Sequence, residues 1–317
     1  MYKEKFIAVV IPCFNEKKYI SKVIDTMPDF VDFMVVVDDH STDTTVEIVK
    51  EYLSAQPDRI ILIEHEANQG VGGAIASGYI WCRDHDIDVA AVMAGDAQMD
   101  PTDLPAIINP IAEGKYDYSK GNRLFSGDAW QKIPKIRYLG NSMLSLLTKI
   151  ASGYWRVADS QSGYTAIGLN ALKQLDWSKM YKRFGQPNDL LVRLNIHAMC
   201  VCDVPVKPVY FPDAESGIKP LRMIPWFTFF ILKLFIMRMV QRYIIRDFHP
   251  LVFFYAVSAI LFGMITPIFI IRFFIVWSQE GLVPPITSLS IIFFVITGIQ
   301  FLLFAMWFDM QYNMNLS

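Results

Sequence analysis

Cysteine is scarce, with four in 317 residues at positions 13, 82, 200 and 202. So few, so unevenly placed, build no disulfide framework. Cys200-Val201-Cys202 lacks a His or Cys partner at zinc spacing, and its alternation suits a core strand. Net charge of either sign is also missing: a formal −2 gives no electrostatic footprint for nucleic acid. The N-terminal stretch does not have the form of a signal peptide. Its apolar run, Phe6 to Ile11, is too short, follows acidic Glu4 and stops at Pro12. No internal repeat or low-complexity tract interrupts the chain. These absences point to a catalytic part kept in a reducing, cytoplasmic setting.

Charge vanishes altogether from two stretches near the C-terminus. Leu251–Ile271 and Ile286–Phe308 contain no charged residue, and each is long enough to cross a bilayer, Pro267 notwithstanding. The link between them, Ser278 to Pro285, has no Lys or Arg. Basic residues crowd the approach to the first stretch instead. Pro225 to Ile245 is apolar and aromatic yet carries Lys233, Arg238 and Arg242, with Arg246 just after. That pattern predicts a helix in the membrane interface whose cations snorkel. The asymmetry places the N-terminal part and both termini on the cytoplasmic side of a multi-pass protein of the cell membrane. Arg272, at the far end, would snorkel outward. The expected organisation is a soluble α/β domain over 1–220, a juxtamembrane region over 221–248 and a transmembrane hairpin over 249–317. Apolar interfacial helices also offer a surface for homo-oligomer formation.

Within the first part, short apolar runs alternate with helical spacing. Strands are expected at Phe6–Ile11, Phe33–Val37, Ile60–Ile63 and Val89–Met93, with a helix over Lys17–Met27 and another capped by Ser41 or Thr42. Such alternation predicts a mostly parallel, doubly wound sheet, whose ligands sit at strand carboxyl ends. The strand ends carry matching chemistry. Asp38 and Asp39 follow the second strand, where carboxylates can accept from ribose hydroxyls or a base N–H, or merely solvate a turn. Asn68-Gln69-Gly70-Val71-Gly72-Gly73 follows the third, but has neither G-x-G-x-x-G spacing nor a Walker lysine. Asp96 and Gln98 follow the fourth, just before Pro101 opens a helix. A carboxylate and an amide oxygen there can hold a hard divalent ion, although an aspartate can also simply cap that helix. His40, His65, His85 and His197 are isolated and receive no role.

Four ordered segments, Val10-Ile11-Pro12-Cys13-Phe14-Asn15-Glu16, Val37-Asp38-Asp39-His40-Ser41-Thr42-Asp43, Asn68-x-Gly-x-Gly and Gly95-Asp96-Ala97-Gln98, resemble those of family 2 glycosyltransferases. The resemblance covers about residues 6–220. It implies the GT-A fold, a Rossmann-like and mostly parallel sheet, and a nucleotide-sugar donor. It implies that Pro12, Asn15, Glu16, Asp38, Asp39, Asn68, Gly70, Gly72 and Asp96 serve that donor. Asp96 and Gln98 would bind Mg²⁺ or Mn²⁺, with Asp96 counted among the catalytic residues. Ala94 stands where the family often has a first aspartate, which leaves fewer protein ligands for the ion.

Tyr116 to Arg123 reads as a strand ending in a cation, similar to the Gly-Ser-Arg segment of the polyprenyl-phosphate branch of that family. Arg137 lies in the following segment, which continues into a helical stretch from about Leu139 to Ala151. Two arginines in one cleft suit a phosphate, which a guanidinium grips bidentately. Alternatively, Lys132, Lys135 and Arg137 solvate a helix face or touch lipid headgroups. The branch's acceptor serine corresponds to Asn141, with Ser142 beside it. Asp159-Ser160-Gln161-Ser162-Gly163 resembles the family's Asp-x-x-Ser/Thr-Gly motif, whose catalytic Asp lies near the acceptor. For a hydroxyl acceptor Asp159 would be the general base. For a phosphomonoester, already anionic at neutral pH, it would orient. The expectation is an inverting transfer of one sugar from a UDP- or GDP-sugar to polyprenyl phosphate. Transfer to a hydroxyl of a glycolipid or diacylglycerol is the alternative, and an inactive membrane scaffold the third. The processive relatives' Gln-x-x-Arg-Trp motif is missing.

Overall fold

The computed structural model describes the backbone of residues 1–124, 135–207 and 220–317, and their side chains apart from 135–141 and 220–225. The described chain forms two compact units. One is Met1–Phe235 together with Asn315–Ser317, and the other is Ile236–Met314.

The first unit is built on a seven-stranded sheet. Its strands are β1 (Ile7–Cys13), β2 (Phe33–Asp38), β3 (Ile60–Glu64), β4 (Val89–Val92), β5 (Tyr118–Asn122), β6 (Thr165–Gly168) and β7 (Val201–Pro205). Their order is β3-β2-β1-β4-β6-β5-β7. The four strands expected from the apolar runs are present and mutually parallel. β6 alone runs against its neighbours β4 and β5, while β5 and β7 are parallel. This is the GT-A arrangement. Between β2 and β4 the chain changes direction across β1, so the crevice at the strand ends opens there.

β1 is buried along its whole length. Ala8 and Val10 face one layer, which includes α3 (Val71–Asp84), and Ile7, Val9 and Ile11 face α1 (Ile20–Asp25) and α4 (Leu104–Ala112) in the other. A strand covered on both faces must be continuously apolar, as this one is. The helix expected over Lys17–Met27 is shorter at its start. Tyr19 and Ile20 N–H groups both donate to Glu16 O, a turn that delays α1 to Ile20. The cap expected for α2 (Thr45–Ala55) also differs. Neither Ser41 nor Thr42 caps it. Asp43 accepts from Thr45 N at 3.0 Å, because Ser41 is spent on Asn15 N at 2.9 Å. Among the described residues the unit also contains α5 (Lys135–Ser152), α6 (Leu169–Gln174) and α7 (Gln186–Ile196). In the Cys200–Cys202 stretch only Val201 is fully buried, and all four cysteines are free thiols.

α8 (Pro220–Val240) begins in the first unit, where Phe230 packs on Tyr181 with ring centroids 4.6 Å apart. The second unit contains its last turn, then a π-helical stretch Gln241–Arg246, α9 (Leu251–Ile260), α10 (Thr266–Glu280) and α11 (Pro285–Tyr312). α9 and α10 run on through a π-helical Leu261–Ile265, giving a 30-residue apolar helix, and α11 is a 28-residue one. Both are long and apolar enough to cross a membrane, with almost nothing of their apolar windows buried inside the protein. Pro267 cannot donate to the helical ladder, and the widened turn just before it absorbs the misfit. The small Gly298 lets α11 approach the first span: Ser258 Oγ donates to Gly298 O at 3.0 Å, and Phe262 lies over the glycine.

Two cations depart from expectation, and Arg242 is one of them, buried with only 7% exposure. Arg238 does not snorkel but is fully buried, with a bidentate pair to Asp309 at 2.8 Å and 2.8 Å. Tyr243 OH donates to the same carboxylate at 2.6 Å, and Asn313 Nδ2 at 3.0 Å. A carboxylate far along the chain therefore overrides the local preference for water.

Gly78 is the tightest point of the α3–sheet packing, since a Cβ there would lie 2.3 Å from Val10 Cγ1. Helix propensity alone favours alanine by about 1 kcal/mol. Overpacking against a fully buried strand costs about 1–3 kcal/mol and should win. Gly78→Ala is expected to lower the apparent Tm of the purified chain; a raised Tm would mean that α3 can move away from β1.

Candidate active site

The crevice is built by turns that follow β1, β2 and β4. Three of them contain a non-glycine residue in the left-handed region: Asn15 (φ 59°), His40 (φ 67°) and Ala97 (φ 54°). Such backbone is costly and gathers where structure must present side chains at fixed angles. Gly95 is required by close approach, because a Cβ there would meet Cys13 Sγ at 2.7 Å. The ends of β1 and β4 are thereby brought together, with Glu16 and Asp96 beside them.

The acidic cluster has an electrostatic signature. Burial, then the charges of Asp96 and Asp43, pushes Glu16 up to about 7. Burial also raises Asp96, despite a hydrogen bond from Gln98 N at 3.0 Å. Cys13 is driven well up by burial and by Glu16, Asp38 and Asp96. Negative charge is thus concentrated in this crevice. The helix-capping alternative for Asp96 falls to a neighbour: Asp100 accepts from Thr102 N at 2.9 Å and begins the short 3₁₀ turn Pro101–Asp103 that leads into α4. Gln98 is half-buried beside Asp96. These donors are all oxygens, the chemistry a hard divalent ion takes. Among the described residues no three His, Cys, Asp or Glu side chains gather into a ready cation cage.

Asp38 and Asp39 divide in role. Asp38 accepts from Ser41 N at 2.9 Å through Oδ2, while Oδ1 is buried with no hydrogen-bond partner among the described residues. A donor from outside would complete it. Asp39 instead organises the Asn68–Gly70 turn. It accepts from Gln69 N at 2.8 Å and Gly70 N at 2.7 Å, and its backbone carbonyl accepts from Asn68 Nδ2 at 3.1 Å. His65, assigned no role from sequence, lies between Asp39 and Ser77, with each ring nitrogen 2.8 Å from its neighbour. The glycines of that turn have a packing reason as well. Gly70 has φ +87°, and a Cβ on Gly72 would lie 2.4 Å from Tyr181 O.

On the other side of β4, Arg123 and Asp159 meet. Arg123 Nε donates to Asp159 Oδ2 at 2.8 Å and Nη2 to Oδ1 at 3.2 Å; Arg123 N and Gln161 N add bonds at 3.2 Å each. Asp159 is fully buried, whereas the Arg123 side chain keeps 28% exposure. Burial would raise the Asp159 carboxyl, but the bonds and charge of Arg123, with Lys120 behind, hold it below the usual carboxylate range. α5 reaches this loop one turn beyond half-buried Ser142, where Ser145 Oγ accepts from Ser160 N at 3.4 Å. Arg137 and Asn141 lie on α5, and their side chains are outside the described residues; Lys132 is outside them altogether.

The sequence pattern of Glycosyl transferase family 2 matches residues 8–176. The chain belongs to that family. It is a glycosyltransferase. Over 219 residues this glycosyltransferase is 31% identical to the UDP-N-acetylglucosamine–dolichyl-phosphate N-acetylglucosaminyltransferase of Methanococcus voltae, covering 65% of this chain and 87% of that one. It is 26% identical over 224 residues to the polyprenol monophosphomannose synthase of Mycolicibacterium smegmatis, covering 67% and 80%. Among solved structures it is similar to the glucosyl-3-phosphoglycerate synthase of Mycobacterium tuberculosis, crystallised with Mn²⁺, UDP and glucosyl-3-phosphoglycerate. That likeness has a TM-score of 0.51 at 20% identity, over 74% of this chain and 80% of that one, and it bears on the fold alone.

His65 and Asp39 yield a direct test. His65→Ala leaves a buried carboxylate oxygen and the Ser77 hydroxyl short of a partner, at a cost of about 1–3 kcal/mol. The glycosyltransferase should show a correspondingly lower apparent Tm by differential scanning fluorimetry. An unchanged Tm would remove His65 from the support of the Asn68–Gly70 turn.

Proposed function

We propose that this glycosyltransferase moves one sugar, with inversion, from a nucleoside-diphosphate sugar to the phosphate of a membrane polyprenyl phosphate. The observation that carries this reading is the state of Asp159. A carboxylate that accepts four hydrogen bonds, is paired with an arginine and is held below its usual pKa is a poor base for a hydroxyl. A phosphomonoester needs no base, being largely ionised near neutral pH. It needs a cation that faces it, and the partly exposed Arg123 is one, oriented by Asp159. The relatives named above, which act on dolichyl and polyprenol phosphates, support the same acceptor class.

On the donor side, the orphan Oδ1 of Asp38 suits an N–H of the base. Asp39, through the turn it holds, shapes the wall beside it. Asp96 and the amide oxygen of Gln98 suit Mg²⁺ or Mn²⁺, which when bound offsets charge on the departing diphosphate. With Ala94 in place of a further carboxylate, diphosphate and water would complete the coordination. One acceptor-phosphate oxygen bonds to the anomeric carbon as the bond to the diphosphate oxygen breaks, and the nucleoside diphosphate leaves with the electron pair. Arg123, with Arg137 and Ser142 on α5, would aim the acceptor.

The topology follows from the lipid acceptor. The crevice must lie on the cytoplasmic leaflet, with the basic α8 at the headgroups and α9–α11 as a hairpin. A reporter fused after Ser317 should therefore read cytoplasmic, and an extracytoplasmic signal would reject this topology.

Purified glycosyltransferase, given polyprenyl phosphate, Mg²⁺ or Mn²⁺ and a panel of nucleotide sugars, should yield the lipid phosphate heavier by one sugar on mass spectrometry. Product only with hydroxyl lipids would reject the phosphate acceptor. Asp96→Ala should reduce turnover on the order of 100-fold or more, the scale of losing one charge-stabilising group, with the fold retained. Asp159→Asn separates the acceptor classes. With polyprenyl phosphate its loss should appear mainly in acceptor KM, whereas a general base would cost roughly 100- to 10,000-fold in kcat.

A further inference from the structure

Lys120 is fully buried in β5, with no solvent for its ammonium group. Its Nζ donates to Ser162 O, on the loop that carries Asp159. Directly across the β5–β7 ladder, in register with Lys120, stands Asp203. Asp203 Oδ2 accepts from Ala158 N at 2.7 Å and from Asn122 Nδ2 at 2.9 Å. Ala158 and Ser162 flank Asp159 on either side. One strand pair thus grips both ends of the acceptor loop, through a buried cation at one end and a half-buried carboxylate at the other.

We infer that Lys120 and Asp203 are positioning residues that set Asp159 and Arg123 for the acceptor phosphate, and that the charge of Lys120 is part of the device. The inference rests on the proposed role of the Asp159–Arg123 pair. Burying a charged lysine is unfavourable, and a neutral amide could anchor the Ser162 carbonyl without that cost. What an amide cannot do is balance charge. Among the described residues the charged groups facing Lys120 are Asp159, Asp203 and Arg123, two carboxylates and one further cation. Without the lysine charge the cluster turns negative where an anionic acceptor must approach. Burial pushes Lys120 down to about 8, against the pull of Asp159 and Asp203 and with the help of Arg123. Its charge is therefore present below about pH 8 and lost as pH rises through that value.

The test is steady-state kinetics of the full chain in detergent, with polyprenyl phosphate and donor varied separately. Lys120→Met should raise acceptor KM by about 10-fold or more, with donor KM changed less than about 2-fold. Lys120→Met/Asp203→Asn, which restores the charge balance without the lysine, should recover part of that loss. In the wild type, acceptor KM should climb above about pH 8, and Lys120→Met should lack this rise. A double variant as impaired as the single one, or donor and acceptor KM rising together, would overturn the inference. If neither variant folds, as judged by nucleoside-diphosphate binding, the wild-type profile decides: a flat acceptor KM across pH 8 overturns it. Failure of the wild type to use any polyprenyl phosphate would instead reject the acceptor reading, independently of the variants.

Discussion

Burial of β1 on both faces is the constraint from which the site follows. Between Ile7 and Ile11 no side chain reaches water, so that strand carries no chemistry along its length. Functional groups are pushed to the turn beyond its carboxyl end, and the parallel pairing of β2 and β4 with β1 delivers their own ends to the same edge. Asn15, Asp38 and Asp96 converge there because the register leaves them nowhere else. The contact between Gly95 and Cys13 then closes the spacing to a distance only glycine permits.

The strand-end turns were legible in the sequence because their parts are local. Each apolar run ends in a polar turn, and each turn declares itself within a few residues. The two long apolar C-terminal helices were legible for a similar reason: an uncharged run of that length is suited to hydrocarbon along its whole extent. What stayed hidden depends on partners far along the chain. Asp39 looks the equal of Asp38, yet His65 and the turn at Gln69–Gly70 absorb it, while Asp38 keeps an oxygen in want of a donor. Arg238 reads as one more interfacial cation until Asp309 is brought to it. Lys120 reads as a polar residue near a strand end, although it is among the most deeply buried side chains. The antiparallel β6 was equally hidden, since strand direction leaves no trace in a run of four residues.

The two halves of the crevice use charge in opposite ways. Around Glu16, Asp38 and Asp96 carboxylates gather, and burial with the charges of Asp96 and Asp43 raises the Glu16 carboxyl to about 7. Around Asp159 each carboxylate has a cation close by, and Asp159 stays ionised. A cluster of carboxylates suits a site completed by a positive ion, and a compensated one suits a site that must admit an anion without repelling it. Both lie on one sheet, on opposite sides of β4.

The buried pair in the membrane unit has a consequence for how the protein is made. Arg238 and Asp309 are 71 residues apart, and the partner that seals Arg238 from water comes near the end of the 317 residues. While the chain is being synthesised, Arg238 must therefore remain hydrated or lie among headgroups, as its local sequence prefers. The pairing of Arg238 cannot be completed until α11 has been made. Final seating of this arginine thus waits on the synthesis of α11, ordered by the position of a single carboxylate.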